Sequence, residues 1–259
     1  MRIALGIEYD GGPFFGWQIQ RITPTVQAEL ESALSKVAHA PIVVHSGGRT
    51  DTGVHAEMQV VHFDTDAQRP LRAWVLGGNV NLHEAASILW AREVPDDFHA
   101  RFSAVARRYR YRICNRLARP ALLRGQTGYV HHAIDVAAMQ VGAQALLGEH
   151  DFSAYRTVHC QAKSPIKVMQ SLEISRVGNE IVFELQATGF LHHMVRNIVG
   201  SLLEVGAGTR DPAWIGAVLR SLDRAQAGMT APSQGLTFLG PIYPDRYALP
   251  RVAGLFGAG

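Results

Sequence analysis

Apolar residues recur along the chain at two spacings, one typical of strands and one typical of helices. Residues 2–10 are rich in apolar and β-branched side chains, whereas Val26, Leu30, Leu34 and Val37 stand three or four positions apart. A period of two places side chains on alternate faces of a strand, and a spacing of three to four places them on one face of a helix. The apolar run, which the turn at Gly11-Gly12-Pro13 ends, predicts strand 2–10, and the helical spacing predicts an amphipathic helix after it.

The first hundred residues predict six elements in the order β-α-β-β-α-β. The predicted strands are 2–10, 41–47, 57–64 and 86–94, and the predicted helices are 25–39 and 70–80. An acidic turn that contains proline, at residues 95–97, ends the series.

The pattern then starts again. The later predicted elements are a strand at 103–115, a helix at 134–148, a hairpin of 169–177 and 180–188, helices at about 191–205 and 213–221, and an extended segment at 235–244. Gly178-Asn179 is a turn signal between the hairpin strands. Each series resembles a ferredoxin-like unit.

The repeated order predicts an α+β fold made of two ferredoxin-like (β-α-β-β-α-β) halves, 1–100 and 101–259. We expect the halves to join in a central, mainly antiparallel sheet. We also expect a cleft at the seam, because ligand sites commonly lie in clefts between such parts.

Composition is that of a folded, soluble chain. Of 259 residues, 47% are apolar and 18% charged, and no stretch reaches 18 uninterrupted apolar residues. Charge interrupts the N-terminus early, so we expect no signal peptide, no membrane partner and a cytoplasmic location. The two cysteines, Cys114 and Cys160, are far apart in sequence and are interpreted as buried thiols.

The basic residues are unevenly distributed. Between Phe98 and Ile134 no acidic residue occurs, yet eight arginines do: 101, 107, 108, 110, 112, 116, 119 and 124. Interleaved tyrosines favour a surface that grips phosphates and stacks on bases. The alternative is a solvated face, or arginines that pair with acids elsewhere in the protein.

One loop crowds polar side chains around a single carboxylate. The stretch "GGRTDTGVHA", residues 47–56, places Asp51 between two predicted strands. Three interpretations compete: a turn closed by the aspartate, half of an aspartic-protease site, and a lone nucleophile. Aspartic proteases need two carboxylates that share a proton, but no second D-T-G or D-S-G occurs, and Arg49 would keep Asp51 ionised. An ionised aspartate in a cleft suits covalent catalysis on an electrophilic carbon.

At this point the chain resembles the tRNA pseudouridine synthase A family. The resemblance rests on "GGRTDTGVHA" and, in order, on "EYDGGPFFGWQ" (8–18), "ARRYRYRI" (106–113), "GEHDFSAYR" (148–156), "GFLHHMVRNIVGSL" (189–202) and "GLTFLGPIYP" (235–244). It implies a homodimer without metal or cofactor. It also implies that Asp51 is the nucleophile that converts uridine to pseudouridine at positions 38, 39 and 40 in the anticodon stem-loop of tRNA.

The resemblance also implies roles for three further residues. Tyr109 would stack on the uracil and could act on the C5 proton, although without the resemblance a core tyrosine is the better interpretation. Arg196 would pair with the nucleophile and keep it deprotonated. Arg49 would face RNA and help to move the target nucleotide out of its stack.

The remaining motifs are weaker evidence for a functional site. Neither His131-His132 nor His192-His193 makes a metal site alone, because adjacent histidines point apart. His150-Asp151 is interpreted as a local hydrogen-bonding pair rather than a hydrolase dyad, and His55 as an organiser of its loop. A non-catalytic RNA-binding protein of the same fold stays open as the second class of function.

Overall fold

The computed structural model describes residues 1–21, 23–158 and 160–250, and the chain divides into two units. Unit 1 comprises Met1–Val105 and the chain from Thr237 onward, and unit 2 comprises Ala106–Leu236. The predicted division after residue 100 lies five residues before this junction, and the last nine residues of the predicted C-terminal half lie outside the described ranges.

The mixed α+β class is confirmed by ten strands and five α-helices in the described residues. In chain order the strands are β1 Arg2–Tyr9, β2 His45–Ser46, β3 His55–Asp64, β4 Ala86–Val94, β5 Ala106–Asn115, β6 Gly128–Val130, β7 Gly148–Asp151, β8 Ile166–Val177, β9 Glu180–Ala187 and β10 Leu236–Ile242. The helices are α1 Val26–Ala38, α2 Leu71–Asn81, α3 Val136–Ala143, α4 Met194–Gly206 and α5 Ala213–Ser221. Among these helices none has both the length and the apolar character needed to cross a bilayer.

In unit 1 the strand order is β4-β1-β3-β10. β1 pairs antiparallel with both β3 and β4, and β2 extends along β3. β10 pairs in parallel with β3, with Thr237 opposite His55. The closing strand, which was predicted to belong with the second half, therefore packs largely in unit 1 because its hydrogen-bonding partner there is β3.

Helix α1 follows its predicted bounds closely. The Thr25 hydroxyl caps its first turn, and His39 ends it in the left-handed region at φ 55°. The strand predicted at 41–47 is wrong for most of its length, because side chains of α1 take its amides. The Ser35 hydroxyl accepts from Ile42 N at 2.9 Å, and Glu31 Oε1 accepts from Val44 N at 3.0 Å.

In unit 2 the order is β5-β9-β8-β7, all antiparallel, with β6 parallel to β5. The predicted hairpin is confirmed and turns at Gly178, whose φ is 58°. β6 and β7 were not predicted, because both are short and β7 is polar. The predicted helix 134–148 is shorter than expected, since its last part is a 3₁₀ turn at Gln144–Leu146 and then β7.

The two cysteines of unit 2 differ in burial, although both were expected to be buried. Both cysteines are free thiols; Cys114 is buried as predicted, whereas Cys160 is partly exposed. The burial prediction is therefore confirmed for Cys114 and wrong for Cys160.

A buried histidine links β3 to the segment before β5. His62 is 1% exposed, accepts a hydrogen bond from Ala100 N, and lies 4.6 Å from His99 and 5.0 Å from His45, ring centre to ring centre. Burial first, and then the neighbouring histidines and Arg2, lower the pKa of His62 to about 4. The folded state therefore keeps His62 neutral where the unfolded chain would protonate it.

We expect this histidine to make stability depend on pH. Between about pH 6.5 and pH 4 the unfolded state binds a proton that folded His62 does not bind, so the free energy of unfolding decreases as the pH is lowered, by at most about 3 kcal/mol in total. His62→Asn retains an acceptor for Ala100 N but cannot titrate. Denaturant titrations from pH 7 to pH 4 should show a flatter profile for that variant. An unchanged profile, or equal flattening in the exposed control His39→Asn, would contradict the assignment.

Candidate active site

The loop that carries Asp51 joins β2 to β3, and its first residues are anchored on β3. Gly47 N donates to Val60 O at 2.7 Å. The fully buried carboxamide of Gln59 bonds both backbone groups of Gly48, accepting from its N at 3.3 Å and donating to its O at 2.6 Å. A buried amide that satisfies two backbone groups fixes the path of the chain as it approaches Asp51.

A second loop, residues 10–17, supports the Asp51 loop from beside it. Trp17 N donates to Thr50 O at 3.0 Å. Gly16 adopts φ 85°, and a Cβ there would lie 2.8 Å from Thr50 O and 3.1 Å from Asp51 C. Only glycine fits this backbone, because a side chain would be strained and would also push Thr50 and Asp51 away.

The residues on either side of Asp51 are held in place. The Thr50 hydroxyl and the Tyr9 hydroxyl, both buried, are 2.7 Å apart. Burial raises the pKa of Tyr9, so its hydroxyl stays protonated at ordinary pH. Asp51 O accepts from Val54 N at 3.1 Å across a turn in which Gly53 has φ 77°. The Asp51 side chain thus starts from a fixed backbone and is itself half-buried.

His55 joins the two loops. It is buried, and its Nδ1 lies 3.1 Å from Gly11 N and 3.0 Å from Asp10 Oδ1. These contacts fit the interpretation of His55 as a loop organiser. Arg49, on the same loop, is exposed.

In unit 2, β5 presents two different faces. Tyr109, Tyr111 and Ile113 are buried, whereas the arginines between them are not. Tyr109 is 9% exposed and packs edge-on against Phe190, with ring centres 5.0 Å apart. Tyr111 lies deeper, its hydroxyl donates to Pro232 O at 2.8 Å, and burial raises its pKa. Tyr111 therefore has the contacts of a core tyrosine, and Tyr109 lies closer to the surface.

Arg196 belongs to the first turns of α4, where the chain folds back on the helix. Its Nε donates to Ala231 O at 2.7 Å, and its carbonyl accepts from Ala231 N at 3.1 Å. At Gly200 an added Cβ would lie 1.7 Å from Met229 O, so the returning segment sits directly on the helix backbone. These contacts fix how the Arg196 side chain leaves α4. The helix begins at Met194, later than predicted, because His193 adopts a left-handed φ of 61°.

The eight-arginine run does not face solvent uniformly. Arg110 pairs with Glu184 at 2.8 Å, and Arg112 pairs with Glu180 at 2.7 Å. For these two the alternative of pairing within the protein is correct. Arg108 is exposed, and its guanidinium makes no hydrogen bond or ion pair with any described residue.

The His150-Asp151 pair has the local role expected of it. His150 Nε2 lies 2.7 Å from Leu147 O, and Asp151 Oδ1 accepts from Ser153 N at 2.8 Å. Both contacts stabilise the short segment around β7.

Asp51 and Arg49 lie on one loop of unit 1, and Tyr109 and Arg196 lie on β5 and α4 of unit 2. A family model described as tRNA pseudouridine synthase matches residues 6–103 and 143–244. The chain belongs to the tRNA pseudouridine synthase family. It is therefore an enzyme of the isomerase class, which removes the protease interpretation of the Asp51 loop.

Relatives of this family match over nearly the whole chain. The tRNA pseudouridine synthase A of Stenotrophomonas maltophilia is 54% identical over 251 residues, covering 96% of this chain and 98% of that protein. The Methylococcus capsulatus protein of the same name is 53% identical over 253 residues, with coverages of 98% and 93%. Among solved structures, a Cbf5-Nop10-Gar1 complex aligns with a TM-score of 0.40 at 10% identity, covering 91% of this chain and 48% of that chain.

Proposed function

We propose that this protein converts uridine to pseudouridine at positions 38, 39 and 40, in the anticodon stem-loop of tRNA, with Asp51 as the nucleophile. Family membership supports the reaction. The observation that carries the assignment of Asp51 is the set of hydrogen bonds that fix the residues just before it: Gln59 holds the Gly48 backbone, Trp17 N donates to Thr50 O, and the Tyr9 hydroxyl bonds the Thr50 hydroxyl. A nucleophile needs this kind of pre-organised support.

The chemistry exchanges one bond for another within the same nucleotide. The C1′–N1 bond of uridine breaks, the uracil turns, a C1′–C5 bond forms, C5 loses its proton and N1 gains one. Asp51 would form a transient covalent adduct, through C1′ or through C6, and leave again unchanged. The overall reaction is balanced without an oxidant, a reductant, a metal or a cofactor.

The other residues would bind and orient the substrate. We assign to Tyr109 stacking on the uracil and the C5 proton, to Arg196 the task of keeping the nucleophile ionised, and to Arg49 contact with the displaced nucleotide. A stacking aromatic ring and cationic side chains are what an extruded base requires. A homodimer in the cytoplasm completes the proposal.

The direct test is to incubate the protein with unmodified tRNA and to map pseudouridine by primer extension after carbodiimide treatment. We expect new stops that report positions 38, 39 or 40. Modification at other positions only would contradict the site, and tRNA binding without any modification would favour the non-catalytic alternative.

The ion pairs on β5 predict a difference between neighbouring arginines. Arg108→Ala should weaken tRNA binding and reduce the slope of log K against log salt by up to about one unit, because a phosphate contact is lost. Arg110→Ala should change the slope much less, since Glu184 already neutralises Arg110. Filter binding from low to high salt gives both slopes, and equal slopes for wild type and Arg108→Ala would contradict the phosphate contact.

A further inference from the structure

The loop between β5 and β6 is basic, apolar and exposed at once. We call residues 116–126 the β5–β6 arm. Arg116, Arg119 and Arg124 on the arm are exposed, as are Leu117 (86%) and Leu122 (99%). Clustered, unneutralised arginines create a positive potential that attracts polyanions, and exposed leucines among them offer apolar contact area beside that charge.

Hydrogen bonds fasten both ends of the arm. Asn115 Nδ2 donates to Val130 O at 3.0 Å and to His132 O at 2.7 Å. The Tyr129 hydroxyl donates to Leu117 O. At the far end Leu123 O accepts from Thr127 N at 3.1 Å and from the Thr127 hydroxyl at 3.2 Å. Ordering such a loop beforehand lowers the entropy that binding would otherwise cost.

Positive charge on the arm is not neutralised locally. No acidic residue occurs between Asp97 and Asp135. Within the described ranges Arg119 and Arg124 make no ion pair or hydrogen bond, in contrast to Arg110 and Arg112 on β5, whose guanidinium groups are held by glutamates.

We propose that the β5–β6 arm is an RNA-binding element that contacts tRNA phosphates away from the target uridine. This inference rests on the proposed function. Asn115, where β5 ends, lies six residues beyond Tyr109, which is about 20 Å along a strand. The arm therefore reaches nucleotides other than the one at Tyr109. Arginine is suited to phosphates, and the leucines can pack on ribose or base faces.

Charge favours RNA over a second copy of this chain as the occupant. Two arms brought together would place six arginines side by side without a carboxylate of their own, which is repulsive. A polyanion removes that repulsion and releases counterions as well.

The test compares variants in binding and in modification. The double variant Arg119→Ala/Arg124→Ala should bind an unmodified tRNA transcript roughly tenfold more weakly and with a salt slope lower by up to about two units. Arg119→Lys/Arg124→Lys keeps the charge and should restore most of the affinity. The matched control Arg72→Ala/Arg92→Ala removes two exposed arginines of unit 1 and should have little effect. The anticodon stem-loop fragment, measured alongside, shows whether the contacts lie outside that stem.

Each outcome decides the proposal. A loss with full-length tRNA only, or with both RNAs, supports the arm as an RNA contact. Binding equal to wild type, or an equal loss in the control pair, overturns it. If the wild type forms no pseudouridine but the arm variants still lose affinity, the proposed function fails and the arm contact stands. If the wild type forms pseudouridine and the arm variants bind tRNA normally, the proposed function stands and the arm contact fails.

Discussion

Asp51→Asn is expected to abolish pseudouridine formation and to leave the protein folded and able to bind tRNA. Asparagine has nearly the shape of aspartate but cannot supply the attacking oxygen anion, so the covalent route is lost. We expect the single-turnover rate to fall by at least about 10⁴-fold. Quench-flow measurements with excess enzyme and labelled tRNA would record the loss.

The fold should survive because the loop is held by backbone groups that the substitution keeps. Val54 N bonds to Asp51 O, and Trp17 N bonds to Thr50 O, in neither case to a side chain at position 51. Thermal unfolding should therefore change little. Phosphate contacts made by arginines are also retained, so the dissociation constant for tRNA should stay within a few-fold of wild type.

A second Asp→Asn variant serves as the control, because it shows whether a loss of activity is specific to position 51. Asp66→Asn makes the same chemical change at an exposed position of unit 1 and should leave turnover unaltered. Near-normal turnover by Asp51→Asn would refute the nucleophile assignment. An equal loss in both variants would show that the change in charge, rather than the attacking group, matters.

Periodicity predicted the longer elements because burial and spacing agree in them. In α1 the apolar residues at positions 26, 30 and 34 are buried, as their spacing indicated. The β8–β9 hairpin also combines alternation with a Gly-Asn turn, and both signals are local.

Elements that depend on distant partners could not be predicted from local pattern. The strand at 41–47 is mostly absent because the side chains of Ser35 and Glu31 take its amides, a competition that no β-propensity records. β6 has three residues, too few for a period to appear, and it exists because β5 lies beside it. Pairing partners, rather than residue preference, decide such segments.

In the candidate site, too, local features were predictable from sequence and contacts between distant residues were not. The crowding of polar residues around Asp51 was visible in sequence, but the groups that support it were not. Gln59 stands in an otherwise apolar stretch of β3, and a polar residue with apolar neighbours was the available signal. The Arg110–Glu184 pair was hidden for another reason: the two residues are directly opposite in the β5–β9 register, which is known only once the strands are paired.

Tyr109 should separate binding from chemistry. Tyr109→Phe keeps the ring that packs against Phe190 and, by the proposal, stacks on the uracil, but it removes the hydroxyl. We expect nearly normal tRNA binding and, if the hydroxyl takes the C5 proton, a single-turnover rate lower by about 10²–10⁴-fold. Tyr109→Leu removes the ring as well and should weaken binding by roughly 1–3 kcal/mol.

Tyr111→Phe is the matched control for these variants, because it deletes a hydroxyl on the same face of β5. Its hydroxyl bonds to Pro232 O, so its loss should lower the free energy of unfolding by about 1 kcal/mol and leave the rate per folded molecule unchanged. Fast turnover by Tyr109→Phe would limit Tyr109 to stacking. Tight binding together with fast turnover by Tyr109→Leu would remove both roles, and Tyr109 would then be a second core tyrosine beside Tyr111, which its burial alone equally allows.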